Sequence, residues 1–239
     1  MSLLTICQDV AEVIPIKKPT QIVGNNDDNS RILLGSAQAA GKWLARQHDW
    51  TAMVKEYTFS TVASQEDYDL PSDYRFIQDQ TGWDRSNYEP IRGPLTPQAW
   101  QEHKSSVLAS TATTWKKYRI RDVSGTRKFS LFPTPDAVES LVFEYLSNSW
   151  CRSSGGTDQT SWQADTDVPI LDEYLLYLET LWRTLNRMGL PYAEEKNEAR
   201  VTLDIYKARD GGIKKLWLAG GAKYHLIGPS NVPDTGFGA

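Results

Sequence analysis

The chain is poor in the residues that most reactive chemistry uses: among its 239 residues are only two cysteines, Cys7 and Cys151, and three histidines, His48, His103 and His225. Cysteines this few and this far apart form no disulfide framework, and neither has the CxxC neighbour that metal or redox chemistry uses. A reducing assembly compartment is compatible with that. An excess of positive charge is missing too, with 26 Lys and Arg against 30 Asp and Glu and a formal net charge of −4. No basic field for gripping phosphate backbones follows from such a balance, which disfavours sequence-specific nucleic-acid binding. No run approaches the roughly 20 apolar residues needed to cross a bilayer. The apolar start of the chain is interrupted by Gln8, Asp9 and Glu12 and has no basic region, unlike a secretory leader. A soluble chain is expected.

Catalytic constellations are also lacking. Glu66-Asp67 and Glu194-Glu195 are adjacent pairs, so their carboxylates diverge on a strand or a helix instead of converging for acid/base work. No serine stands in a GxSxG elbow, and neither cysteine sits in a nucleophile motif. The glycines at 155–156 and 211–212 lack the Lys-Ser/Thr of a phosphate loop and the spacing of a dinucleotide turn. Asp165, Asp167, Asp172 and Glu173 resemble a cation loop only superficially, because the fixed glycine and terminal glutamate of an EF-hand are missing; helix-start charge explains them better. Glu102 with His103 is an adjacent acid–imidazole pair, and a solvated helix face accounts for it better than catalysis does. No catalytic, cofactor-binding or metal-binding residue is nominated.

What the chain has in surplus is aromatic residues, including nine tryptophans and eleven tyrosines. Such side chains supply large, rigid contact area in cores and at interfaces, which leans toward an assembling protein. Over residues 2–14, Leu3, Ile6, Val10 and Val13 recur at helical spacing, and Pro15 and Pro19 end the run. The polar stretch 24–30 supplies a turn, with Asn29 or Ser30 expected to cap a second helix that extends to about His48. Its stripe of Leu33, Ala37, Ala40 and Leu44 is flanked by Gly35, Ser36, Ala39 and Gly41, small residues that admit a close neighbour.

Residues 51–148 change to short runs rich in Thr, Val, Tyr and Phe, broken by turn residues. The clearest hairpin runs from Trp115 to Ile120, turns at 123–126 and returns from Lys128 to Phe132, and a further strand follows at 140–146. Thr96 with Pro97 reads as the start of a short helix. After a Gly/Ser/Thr-rich loop, Leu171, Leu175, Leu178, Trp182 and Leu185 give the strongest periodicity in the chain. They predict a helix from Pro169 and the seam of a bundle. Gly189 ends that helix, and another is expected over about 192–209, with Ala199, Leu203 and Tyr206 on one stripe. Beyond 212, glycines separate Trp217, Tyr224, Leu226, Ile227 and Phe237 like anchors awaiting a partner's groove. The fold class expected is α+β: a four-helix bundle from residues 1–50 and 151–211, a β-rich insertion at 51–150, and an extended C-terminal docking tail at 212–239.

Several short motifs follow one another in a distinctive order. They are Tyr68, Leu70, Pro71, Asp73 and Tyr74; an aromatic-Pro-x-Pro strand exit at Phe132, Pro133 and Pro135; and a strand ending at Tyr145. Then come Asp165, Asp167, Pro169, Leu171, Asp172, Glu173, Leu175 and Leu176, and Trp182-Arg183 before Gly189-Leu190. In this succession the chain resembles the head-to-tail connector adaptors of tailed phages, especially short-tailed phage adaptors related to tail tubular protein A. The likeness spans about residues 1–212.

The resemblance implies a structural virion protein of the phage neck, not an enzyme, assembled in the host cytoplasm. It implies a ring of about twelve copies that joins the portal to the tail nozzle or tube and lines the DNA channel. The partners implied are the portal protein, the nozzle or tube protein, further copies of the chain, and transient non-specific contact with passing DNA, with no membrane and no cofactor. On this reading the tail residues Trp217, Tyr224, Leu226, Ile227 and Phe237 dock on the portal, Trp83, Tyr88 and Trp100 face the tail side, and Leu171 to Leu185 form the bundle seam. Two alternatives stay open. A carbohydrate- or receptor-binding tail module requires Trp83, Tyr88 and Trp100 on an exposed platform, and a virion-associated hydrolase requires distant acid, base and nucleophile to converge.

Overall fold

The structure, a computed structural model, describes residues 1–105 and 115–211. In chain order it begins with helices α1 (Leu3–Val13) and α2 (Asp28–Gln47) and a single 3-10 turn at Thr51–Met53. Strands β1 (Val54–Ser60), β2 (Asp67–Asp69), β3 (Tyr74–Ile77), β4 (Trp83–Asp84) and β5 (Glu89–Pro90) precede α3 (Pro97–Ser105). Then come β6 (Lys117–Val123), β7 (Thr126–Phe132), β8 (Ser140–Ser147), β9 (Cys151–Arg152), β10 (Asp158–Gln159) and β11 (Val168–Pro169). Helices α4 (Glu173–Arg187) and α5 (Ala193–Arg209) follow. Helices and antiparallel sheets occupy separate stretches, so the class is α+β. The described residues form two compact units: 1–57, 71–78 and 144–211 in the first, and 58–70, 79–105 and 115–143 in the second.

In the first unit, α4 packs against α1, α2 and α5. Its side chains at 175, 176, 178, 181 and 185 are all leucine and all buried. At 100° per residue these positions point around most of the helix circumference, so α4 is enclosed by its neighbours and does not offer them one stripe. Two buried threonines on it satisfy their hydroxyls inside the helix, Thr180 donating to the Leu176 carbonyl at 2.7 Å and Thr184 to the Thr180 carbonyl at 2.8 Å. The small residues of α2 are buried as well, Ser36, Ala37, Ala40 and Gly41 among them. Gly41 lies against the indole of Trp150, where any Cβ would collide with the ring. Trp150 in turn meets Trp162 edge-on at 4.9 Å and donates its indole N–H to the Thr160 carbonyl at 2.9 Å.

Several boundaries differ from the sequence expectation. The cap of α2 is Asp27, whose carboxylate accepts from Ser30 N at 3.2 Å; Asn29 and Ser30 already lie in the first turn, and Ser30 is buried. Pro169 does not open α4. It sits in β11 opposite Cys151, and the helix begins four residues later behind the cap Asp172, which accepts from Leu175 N at 3.0 Å. Proline has no N–H to give a ladder, but a two-residue edge strand tolerates that loss. In α1, Ser2 Oγ accepts from Thr5 N at 3.3 Å, while Leu3 N and Leu4 N donate to the carbonyls of Asp167 and Asp165 at 2.8 and 3.1 Å. The first orphan donors of α1 are thus satisfied by the loop that leads into α4.

The second unit is built on aromatic contacts. Strands β2, β7 and β6 form an antiparallel sheet in which Tyr68 pairs with Phe129 and Lys117 with Phe132. Phe129 stacks on Tyr118 at 4.8 Å and on Phe143 at 5.2 Å, and Phe59 packs edge-on against Phe129. The β6–β7 turn is tighter than expected: only Ser124 and Gly125 separate the strands, both with positive φ, of 55° and 81°. That conformation matches the right-handed strand twist, and Asp122 helps by accepting from Gly125 N at 2.8 Å. As expected, Thr96 caps α3, its hydroxyl accepting from Ala99 N at 3.2 Å.

The tight seat of Trp150 over α2 gives a test. Gly41→Leu should destabilise the chain by about 1–3 kcal/mol through overpacking. Gly35→Ala, which meets only the mobile end of Arg187, should be neutral or gain up to about 1 kcal/mol from helix propensity. Urea unfolding of both variants checks the contrast.

Candidate functional site

The motif residues first show their roles as structural hubs. The Asp73 carboxylate accepts from Lys55 Nζ at 2.6 Å, Ser147 Oγ at 2.7 Å and the Tyr145 hydroxyl at 2.8 Å. Burial pushes the Asp73 carboxyl up, but those three bonds and the Lys55 charge outweigh it and hold the group below the usual carboxylate range. Lys55 reaches on to Asp158 at 2.5 Å, so one ammonium joins two carboxylates. The partial burial of Lys55 lowers its pKa, but the two carboxylates raise it further, leaving it above its ordinary value. Four residues, 70–73, join β2 to β3, and the motif is divided between the units, Tyr68 and Leu70 falling in the second and Pro71, Asp73 and Tyr74 in the first.

The acidic motif that begins at Asp165 is a knot of backbone caps. Asp165 accepts from Val23 N at 2.7 Å and from Ile22 N at 3.2 Å, fixing the α1–α2 connection. Asp167 accepts from Gln163 N at 2.7 Å and Ala164 N at 2.9 Å, closing its own loop. Only Asp172 and Glu173 act at the start of α4, so the expectation of helix-start charge holds for these two and not for Asp165 or Asp167. Among the described residues, no group of three His, Cys, Asp or Glu side chains is placed to hold a metal ion. Cys7 and Cys151 are both buried and free, and burial pushes each thiol up to about 12, where it is not a thiolate at neutral pH. His103 is not oriented by Glu102; its ring meets Lys117 Nζ at 2.9 Å and stacks on Phe132 at 6.1 Å.

The surface residues nominated from sequence separate clearly. Trp217, Tyr224, Leu226, Ile227 and Phe237 lie outside the described residues. Leu171, Leu175, Leu178 and Leu185 are buried, while Trp182 is half-buried against Tyr192 and Lys196. Trp83 and Tyr88 are exposed on the β4–β5 hairpin, but Trp100 is 1% exposed and packs on Phe132. The exposed three-aromatic platform that a sugar-binding module requires is therefore not formed. Trp50, Trp150 and Trp162 are buried too, so much of the aromatic surplus serves the cores.

The Tyr88 hairpin is held from below. Asp84, fully buried, accepts from Ser86 N and Asn87 N at 2.9 and 3.1 Å, from Asn87 Nδ2 at 2.9 Å and from Lys116 Nζ at 2.7 Å. Burial pushes Asp84 up, yet the bonds from Lys116 and Asn87 bring it below the usual range. At the tip Tyr88 takes a φ of 58° while 78% exposed. A bulky residue in the left-handed region with little packing to hold it costs folding energy and marks a position of functional interest.

Two further surface features of the first unit were not read from sequence, because their members together come from four helices and a loop. One is a cleft of about 680 Å³ lined by Asp9, Asp172, Glu173, Tyr174 and Tyr177. The other is a groove of about 240 Å³ formed by Trp43, Glu179, Trp182, Arg183, Lys196 and Arg200.

Asp73→Ala should strand the donors of Lys55, Tyr145 and Ser147 and cost about 2 kcal/mol, less than a fully buried pair because the site is partly solvent-screened. Since the folded chain holds Asp73 below its ordinary 3.8, its contribution is complete above that value and is lost as pH falls through the lower, folded value. In urea titrations the stability gap between wild type and Asp73→Asn should therefore be full at neutral pH and shrink only below pH 3.8. A gap unchanged down to full acid denaturation would contradict the role given to the carboxylate.

A search of curated proteins finds no match to this chain. The family model described as SU10 adaptor protein matches residues 1–229, and so includes the motif hubs of both units and the Tyr88 hairpin. No helix among the described residues is long and apolar enough to cross a membrane. With a match over nearly the whole length, the chain belongs to the SU10 adaptor protein family, a family of structural phage head-to-tail adaptors found in the virion.

Proposed function

We propose that the chain forms a ring of about twelve copies between the portal and the tail nozzle or tube, acting without catalysis and lining the channel through which DNA leaves. The observation that carries this reading is the extent of the family match, residues 1–229, which makes the whole chain and not one module the adaptor. The helices α1, α2, α4 and α5 act as the four-helix bundle of each subunit, and residues 51–150 as an insertion directed to the tail-side partner. The net charge of −4 suits a conduit, because DNA in transit is not retained by an acidic wall. Assembly takes place in the host cytoplasm, before the neck is complete.

On this reading the tail from 212 docks on the portal through Trp217, Tyr224, Leu226, Ile227 and Phe237, by strand addition or by lodging aromatics in pockets. Trp83 and Tyr88 meet the nozzle or tube. Truncation at Gly212 should abolish binding to the portal in pull-down and electron microscopy; unchanged binding would remove the docking role of the tail. For the hairpin, Tyr88→Gly relieves the left-handed strain and should leave the thermal midpoint equal or higher. The same change should weaken capture of the tail-side protein about tenfold or more. Undiminished capture would exclude Tyr88 from that contact.

A further inference from the structure

The cleft and the groove of the first unit lie on different sides of α4. Counting 100° per residue, Tyr174 and Tyr177 point roughly 160° away from the mean direction of Glu179, Trp182 and Arg183. Their charges are opposite. At the cleft, Asp9 and Glu198 both raise the pKa of the Tyr177 hydroxyl, after burial, and Asp172 and Glu173 stand at the start of α4. The Met1 ammonium answers only Glu173. Tyr174 stands out from this acidic surface, 48% exposed, with its hydroxyl donating to Glu198 at 2.9 Å.

At the groove, Glu179 is buried, its Oε2 accepting from Trp182 Nε1 at 2.9 Å and Arg183 Nε at 3.1 Å. It neutralises Arg183, whose guanidinium lies 4.5 Å from the Trp182 ring centroid and 5.3 Å from that of Trp43. Lys196 sits over Trp182 at 5.3 Å, and neither it nor Arg200 has a carboxylate within salt-bridge distance among the described residues. The groove is thus an aromatic-floored hollow with surplus positive charge, in a chain whose net charge is negative.

We infer that the occupant of the groove is the Tyr174 face of a second copy of this chain. Tyr174 would lie on the groove floor made by Trp43, Trp182 and the Arg183 guanidinium held against both rings, while Asp9 and Glu198 approach Lys196 and Arg200. A contact between two different patches on opposite sides of one helix is heterologous, so each copy keeps one patch free for the next, and the series becomes the ring of the reading above when the rotation from copy to copy closes. Opposite charges set the register and disfavour like-to-like pairing. The inference rests on the ring-forming reading above and names the surfaces that make the ring.

The test is a charge swap. Lys196→Glu with Arg200→Glu, and separately Asp9→Lys with Glu198→Lys, should each weaken self-assembly about tenfold or more, read by sedimentation velocity and native mass, alone and with the portal. The chain carrying all four changes should assemble again, because every contact then joins a reversed groove to a reversed cleft. Misfolded variants would not recover in this way. Assembly indifferent to either pair of reversals overturns this interface but leaves the ring. A fourfold variant that stays dispersed overturns the pairing of these two patches. Groove reversal that abolishes capture of duplex DNA and leaves assembly unchanged assigns the groove to phosphate and overturns the inference. A wild-type chain that never oligomerises, even on the portal, overturns the ring itself.

Discussion

Leu175, Leu176, Leu178, Leu181 and Leu185 leave α4 in several directions, and all of them are buried. Enclosing one helix in this way constrains everything around it. Each neighbour, α1, α2 and α5, must bring its own apolar face to the same axis, and the close approach of α2 works only because Ser36, Ala37 and Ala40 are small. Two of the polar groups trapped inside are satisfied locally, the hydroxyls of Thr180 and Thr184, by carbonyls of their own helix. Glu179 is the one buried carboxylate on α4, and burial raises its pKa even with Arg183 beside it. It therefore costs stability at neutral pH relative to a neutral residue, and what it supplies in return is a fixed guanidinium at the surface.

Outside the helices, ionic hubs complete the order. Asp73 gathers Lys55, Tyr145 and Ser147 from β1 and β8, and Asp84 gathers Lys116 and the hairpin backbone. Hubs of this kind add less net stability than an apolar cluster would, but they admit only one arrangement of their donors. That suits a protein whose task is to hold surfaces in position. Of the motif residues read in the sequence, Asp73, Asp165 and Asp167 act in such hubs and caps, while Asp172, Glu173, Trp182 and Arg183 line the surfaces on either side of α4.

Much of the local structure was legible in the sequence because it depends on nearest neighbours. Helical periodicity gave α1, α2, α4 and α5 to within a few residues, Thr96-Pro97 gave the start of α3, and alternating apolar runs gave β6, β7 and β8. The misreadings share one physical cause. Asp27, Asn29 and Ser30 are all good caps, and only the packing that buries Ser30 selects Asp27. Pro169 has a good helix-start φ, but pairing with Cys151 draws it into a strand. Trp100 carries no local sign of burial; the sheet that covers it is made by residues distant in sequence.

The sequence by itself determined the α+β class, the order of the helices and of β6, β7 and β8, and the family, since these reside in periodicity, turn chemistry and the succession of short motifs. The tertiary structure alone decided which side chains are core and which are surface. It turned the surplus tryptophans inward at 50, 100, 150 and 162 and left Trp83 and Tyr88 out. It also brought Trp43, Glu179, Trp182, Arg183, Lys196 and Arg200 into one groove. The reason is that burial and charge neighbourhood are properties of contacts between segments, and no window along the chain contains both partners of such a contact.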